Sequence, residues 1–155
     1  FDKLQGFDET LFAHMEEIDY HWKCQLLGHE VWVEPRSVIY HHGAITLPVS
    51  SSKKTYLNYR NSLILLTTNY PTSVSLKLLP PRLFMELLSL IKEILFFRWG
   101  HGFAIIRSWI WIILHPIYLS KRRKRLVADY KMDNIYEHSI VMKYFFMGKK
   151  TYDKL

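Results

Sequence analysis

The chain has 155 residues, enough for one modest core or two small units. Apolar residues make up 49% and aromatic ones 15%, which excludes a disordered chain, and the lone cysteine, Cys24, excludes an internal disulfide and a cysteine-rich zinc site. The net charge of +7 is uneven: residues 1–52 hold three Lys/Arg against eight Asp/Glu (net −5), and residues 53–155 hold eighteen against six (net +12), as expected of two units with different partners.

In chain order, Gly6 signals a turn and residues 16–27 read as a helix. Ile18, Trp22 and Leu26 recur at four-residue spacing, Asp19 and Lys23 stand at ion-pair spacing, and Gly28 suits the helix end. Val31–Val33 and Val38–Tyr40 read as two short strands separated by Pro35. The run Ser50-Ser51-Ser52 closes a loop that begins at Gly43 and marks a domain boundary. Residues 54–69 read as a second helix. Pro80-Pro81 is expected to break the chain before an amphipathic helix over 82–97, with Arg82, Glu86, Ser89 and Glu93 as its polar stripe. Gly100 and Gly102 separate it from an apolar helix over 103–115, and Pro116 and the basic run Lys121–Arg125 follow. The chain opens on Phe1 without a signal-peptide pattern and reads as starting within a domain. No uncharged apolar run reaches the roughly 18–20 residues that a spanning helix needs.

Two clusters carry chemistry. Glu16, Glu17 and Asp19 gather at a helix N-terminus, where the helix dipole favours negative charge. A carboxylate held there can accept a hydroxyl proton; the plainer reading is ordinary helix capping. Tyr40-His41-His42-Gly43 ends a predicted strand, and neutral imidazole is a good ligand for a divalent metal. Adjacent strand residues point oppositely, so one of the two histidines enters a given site; the plainer reading is a hydrogen-bonded histidine.

The order of these pieces is Gly6-Phe7-Asp8-Glu9, the acidic cluster, Trp22-Lys23, Gly28, two strands, then His41 before Gly43 and Thr46-Leu47. It resembles the C-terminal half of the catalytic domain of bacterial family 2 (GT-A type) glycosyltransferases, in the rhamnosyltransferase-like, cell-surface polysaccharide branch. Tyr59-Arg60-Asn61 is similar to a helix that follows in that branch. The resemblance covers residues 1 to about 70, is loose over 82–125, and ends there.

It implies an α/β chain: residues 1–52 as the end of a GT-A catalytic domain, residues 53–125 as a helical extension, and residues 126–155 as a tail. It also implies an inverting transferase that moves a sugar from a nucleotide-diphosphate sugar to a glycan or lipid-linked acceptor, in the bacterial cytoplasm at the inner face of the membrane. Glu17 matches the catalytic base, with the assignment open between it and Glu16; Asp19 matches the next acid, His41 the ligand of a Mg²⁺ or Mn²⁺ ion, and Trp22 and Arg60 are the substrate-binding candidates. The chain has no Asp-x-Asp motif and no nucleotide-binding strands, so it is expected to be inactive alone. Residues 82–125 suggest peripheral membrane contact or a homo-oligomer, since basic residues with apolar helix faces suit anionic lipid. No nucleic-acid motif surrounds the basic run. The competing readings are a non-catalytic membrane-surface or protein-interaction module on residues 82–125, and a metal-binding domain built on Glu16, Asp19, His41 and His42.

Overall fold

Hydrophobic spacing at 3.6 residues per turn accounts for most of what forms. A computed structural model describes residues 6–40, 48, 50–126, 143–144 and 147–151. A 3-10 turn over Glu9–Leu11 leads to α1 (Glu16–Leu26), α2 (Ser52–Thr68), α3 (Thr72–Leu95), α4 (Trp99–Leu114) and α5 (Pro116–Leu126). α1 ends as its sequence requires. Gly28 takes φ +76°, its amide bonds the carbonyl of Gln25, and the His29 amide reaches back to Cys24. Only glycine enters that left-handed region without steric cost. The Asp19–Lys23 ion pair forms at 2.8 Å.

The α/β expectation is corrected. Among the described residues there is no strand and no sheet; every regular element is a helix. Val31–Val33 and Val38–Tyr40 are irregular, with Trp32 82% and Tyr40 91% exposed. A strand needs a neighbour to take its backbone hydrogen bonds. Among the described residues the segment closes on itself, through the Ser37 amide on the Glu34 carbonyl and Arg36 on the Glu34 carboxylate.

The Pro80-Pro81 break does not occur either, since both lie inside α3. Each proline removes the bond to the carbonyl four residues back, here on Leu76 and Lys77. Leu76 and Lys77 are on the exposed face, where the freed carbonyls are on the solvent side. Gly100 and Gly102 do not end a helix but lie in α4, where a Cβ at Gly102 would sit at ordinary contact distance, 3.4 Å, from the Leu90 side chain. The actual break is at Phe97, which takes φ +56° between α3 and α4.

Gly102 meets Leu90 near the end of α3, and Trp109 further along α4 meets Glu86, so the two helices run antiparallel. α2 lies beside α4 in parallel: Thr55 bonds His101 at 2.7 Å near their starts, and Trp111 packs on Ile64 and Leu65 towards their ends. Leu11, Ile64 and Leu65 form the main buried cluster, with Met15, Trp111 and Tyr118 around it. Tyr56, Leu57 and Ala104 form a second. α5 crosses the end of the bundle at 70° to α4.

The polar stripe of α3 faces inward. Glu86 is 2% exposed, accepts from Arg82 and from the Trp109 indole, and Arg82 also reaches the Ser62 hydroxyl. Apolar Phe84, Leu88, Ile91 and Leu95 face outward.

Candidate functional site

The acidic end of α1 is built on an unusual approach. Phe12, His14 and Met15 all have positive φ, at 61°, 69° and 72°. For residues with a Cβ this costs about 1–3 kcal/mol each, and such geometry persists only where the surroundings over-determine it. α2 does so. The Asn61 amide, fully buried, donates to the carbonyls of Leu11, Ala13 and His14 at 2.8–2.9 Å. Arg60 donates to the Thr10 carbonyl at 2.6 Å and to the Asn61 side chain, with its guanidinium over the Tyr56 and Trp111 rings. Arg60 is therefore buried in a loop clamp, which leaves it no free face for the substrate phosphate that the resemblance implied.

The three carboxylates of the cluster separate. Asp19 is fully buried and tied to Lys23, to the Asn69 amide at 2.9 Å and to Arg122 of α5. Arg122 also bonds Thr68, Asn69 at 2.6 Å and Asp8 at 3.0 Å. Burial pushes the Asp8 carboxyl up, but the Arg122 and Thr10 bonds outweigh it and hold the group below its ordinary range. Burial likewise works against the Arg122 charge, and Asp19 with Asp8 more than restores it, so its pKa rises. Burial raises the Tyr118 hydroxyl, which bonds Asp8 at 3.3 Å. Asp19 is thus a structural anchor. Glu16 is half-buried, with Oε2 buried and without a hydrogen bond, as is His14 Nε2 in the same turn. Glu17 is exposed, and no hydrogen bond or ion pair among the described residues engages it.

Trp22 packs edge-on against Tyr70, ring centres 4.6 Å apart, and helps hold α1 on the end of α2. His41 and His42 lie outside the described residues. Among the described residues no three His, Cys, Asp or Glu side chains converge, and the half-buried Asp8 and the buried Asp19 already answer a guanidinium. The described residues therefore do not fit a divalent ion by themselves.

Sequence reasoning missed Arg122 as a partner of the acidic cluster, because it sits in a basic run 103 residues away. Asn61 was visible as part of Tyr59-Arg60-Asn61, but nothing local signals that its amide spans three carbonyls of an earlier loop.

No family model matches the chain, and no curated protein or solved structure is significantly similar to it.

Proposed function

We propose that residues 6–19 form the proton-accepting side of a sugar-transfer site, in an inverting glycosyltransferase of bacterial cell-surface polysaccharide synthesis. One observation carries this reading. The two stretches that resemble that family, residues 6–23 and Tyr59–Asn61, are bonded to each other, and the bond holds a strained turn that displays Glu17. Strain maintained by buried polar bonds is characteristic of functional turns. Asp19 is locked by Arg122, Glu16 is half-buried, and Glu17 alone of the three is open to solvent.

In the reaction, a Glu17 carboxylate oxygen takes the proton of an acceptor hydroxyl as that oxygen attacks the anomeric carbon. The bond from that carbon to the nucleotide diphosphate breaks, and the single attack from the opposite side inverts configuration. The donor is a nucleotide-diphosphate sugar, the acceptor is a glycan or lipid-linked hydroxyl, and the donor places the reaction in the cytoplasm. Of the residues the resemblance points to, His41, outside the described residues, would be a ligand of the implied Mg²⁺ or Mn²⁺ ion, which would neutralise the leaving diphosphate; no step is derived through it.

Transfer from a nucleotide-sugar by the intact enzyme tests this. Loss of a general base typically lowers turnover about 10²–10⁴-fold, so Glu17→Gln loses activity by that factor with donor affinity retained. If Glu16→Gln fails and Glu17→Gln does not, the base is one residue earlier. Unchanged turnover in both variants ends the reading.

A further inference from the structure

An amphipathic helix in a water-soluble bundle turns its apolar face to the core, whereas α3 packs Leu90 inside but leaves a second apolar face outward. Its polar stripe is spent inside, on Arg82, Glu86 and the Trp109 indole, while its outer face carries Phe84, Leu88, Ile91 and Leu95. That face ends at an aromatic corner, where Phe96, Phe97 and Trp99 are all more than half exposed. A groove of about 530 Å³ opens between α2, α3 and α4, lined by Leu63, Leu83, Leu87 and Ile113 among other apolar side chains. Its one hydroxyl, on Thr67, is turned to the Leu63 and Ile64 carbonyls and offers the groove nothing polar.

Charge indicates what covers this surface. Residues 72–126 hold ten Lys/Arg and two Asp/Glu. Both carboxylates are taken internally, Glu86 by Arg82 and Glu93 by Arg98. Lys77 and Lys92 are left on the exposed side of α3, and Lys121 and Lys124 are exposed on α5. A second copy would set these like charges near one another, and a protein partner would meet a face with almost no hydrogen-bonding groups, unlike most protein interfaces. Hydrocarbon needs no hydrogen bonds, and anionic headgroups match the lysines. Among the described residues no single helix is long and apolar enough to cross a membrane, while α4 with Pro116–Lys124, bent by 70°, passes by length and composition only as a pair.

We propose that the outer face of α3 lies in the headgroup region of an anionic lipid bilayer. Phe84, Leu88 and Ile91 enter the acyl boundary, the groove takes one acyl chain, and Lys77 and Lys92 meet lipid phosphates. The inference is independent of the sugar-transfer reading, since its readout needs no turnover.

Co-sedimentation with vesicles tests it, using phosphatidylcholine alone and phosphatidylcholine with one quarter phosphatidylglycerol. The protein is expected to pellet with the anionic vesicles at low salt and to be released as salt rises. Each lysine near such a surface contributes roughly fivefold, so Lys77→Gln with Lys92→Gln weakens partitioning about 25-fold. Phe84→Ser with Ile91→Ser weakens it by about tenfold or more through lost apolar burial. All four positions are exposed, and an unchanged far-ultraviolet circular dichroism spectrum and melting temperature establish that the variants fold. Glu17→Gln partitions like the parent. Protein that stays in the supernatant with anionic vesicles at low salt overturns the proposal. So does binding that neither double variant weakens, or a dimer that Phe84→Ser with Ile91→Ser dissociates while vesicles go unbound.

Discussion

Replacing Arg122 with Met removes a cation that joins three parts of the chain: the loop before α1, α1 itself and the end of α2. Its side chain is 6% exposed and that of Asp19 1%. Breaking a buried pair by removing one partner costs about 3–5 kcal/mol, because the other charge stays behind in a poorly solvated place. Asp19 keeps Lys23 at 2.8 Å and the Asn69 amide at 2.9 Å, and Asp8 keeps the Thr10 amide at 3.0 Å. Those partners put the expected loss at the lower end, about 3 kcal/mol. A chain of this size loses roughly 2–4 °C of melting temperature per kcal/mol, so the midpoint falls by about 6–12 °C. Urea unfolding followed by circular dichroism at pH 7 measures the loss. A double-mutant cycle with Asp19→Asn isolates the pair, with an expected coupling of about 1–3 kcal/mol. A loss under about 1 kcal/mol, or a cycle that is additive, would refute the reasoning. The tie would then be one that solvent replaces without cost.

Asn61→Ala removes the side-chain donor to the Ala13 and His14 carbonyls, whereas the Leu11 carbonyl keeps the Ala13 amide and Arg60, and Arg60 still serves Thr10. Buried unpaired groups cost about 1–3 kcal/mol each, and with partial relaxation the variant loses about 2–3 kcal/mol in urea unfolding. Under the proposed sugar-transfer reading, the same variant is expected to lower transfer, because the turn that displays Glu17 relaxes; full activity in a folded Asn61→Ala protein would separate the clamp from the proposed chemistry. Asp8 has a folded pKa below its ordinary value of 3.8, so its contribution to stability is complete above that value and is lost as the pH falls through the lower folded one. The stability difference between the parent and Asp8→Asn therefore shrinks in acid below about pH 4, read from urea midpoints across pH. A difference that stays constant down to pH 2 counts against the Arg122–Asp8 tie.

The cores of α1, α2 and α4 and the second half of α3 were legible from spacing, whereas α5 and the first turns of α3 were not. α1 was expected over 16–27 and runs to Leu26, and α2 was expected over 54–69 and runs from Ser52 to Thr68. The Asp19–Lys23 pair and the Gly28 end were legible too, because each depends on residues within four or five positions of one another. The proline break was misread because the penalty for Pro80 and Pro81 is local, while the bonds that keep α3 continuous come from outside it. Ser75 donates to the Leu66 carbonyl, Arg82 reaches Ser62, and Glu86 accepts from Trp109. The strands were misread because alternation describes a residue's two sides and says nothing of whether a neighbouring strand exists.

At the candidate site, the amino-acid order alone located the acidic cluster and the Tyr59–Asn61 helix. Only the tertiary structure assigned the roles within them. It locked Asp19 under a guanidinium, turned Arg60 from a surface cation into a loop clamp, and left Glu17 open. The same holds for α3: the sequence determined its polar stripe and its apolar face, and packing decided which one points inward. A helix period, a cap or an i,i+4 pair is set by interactions across one turn. Which cation answers a buried carboxylate 103 residues away is set by how the helices fill space together, and no local pattern carries that information.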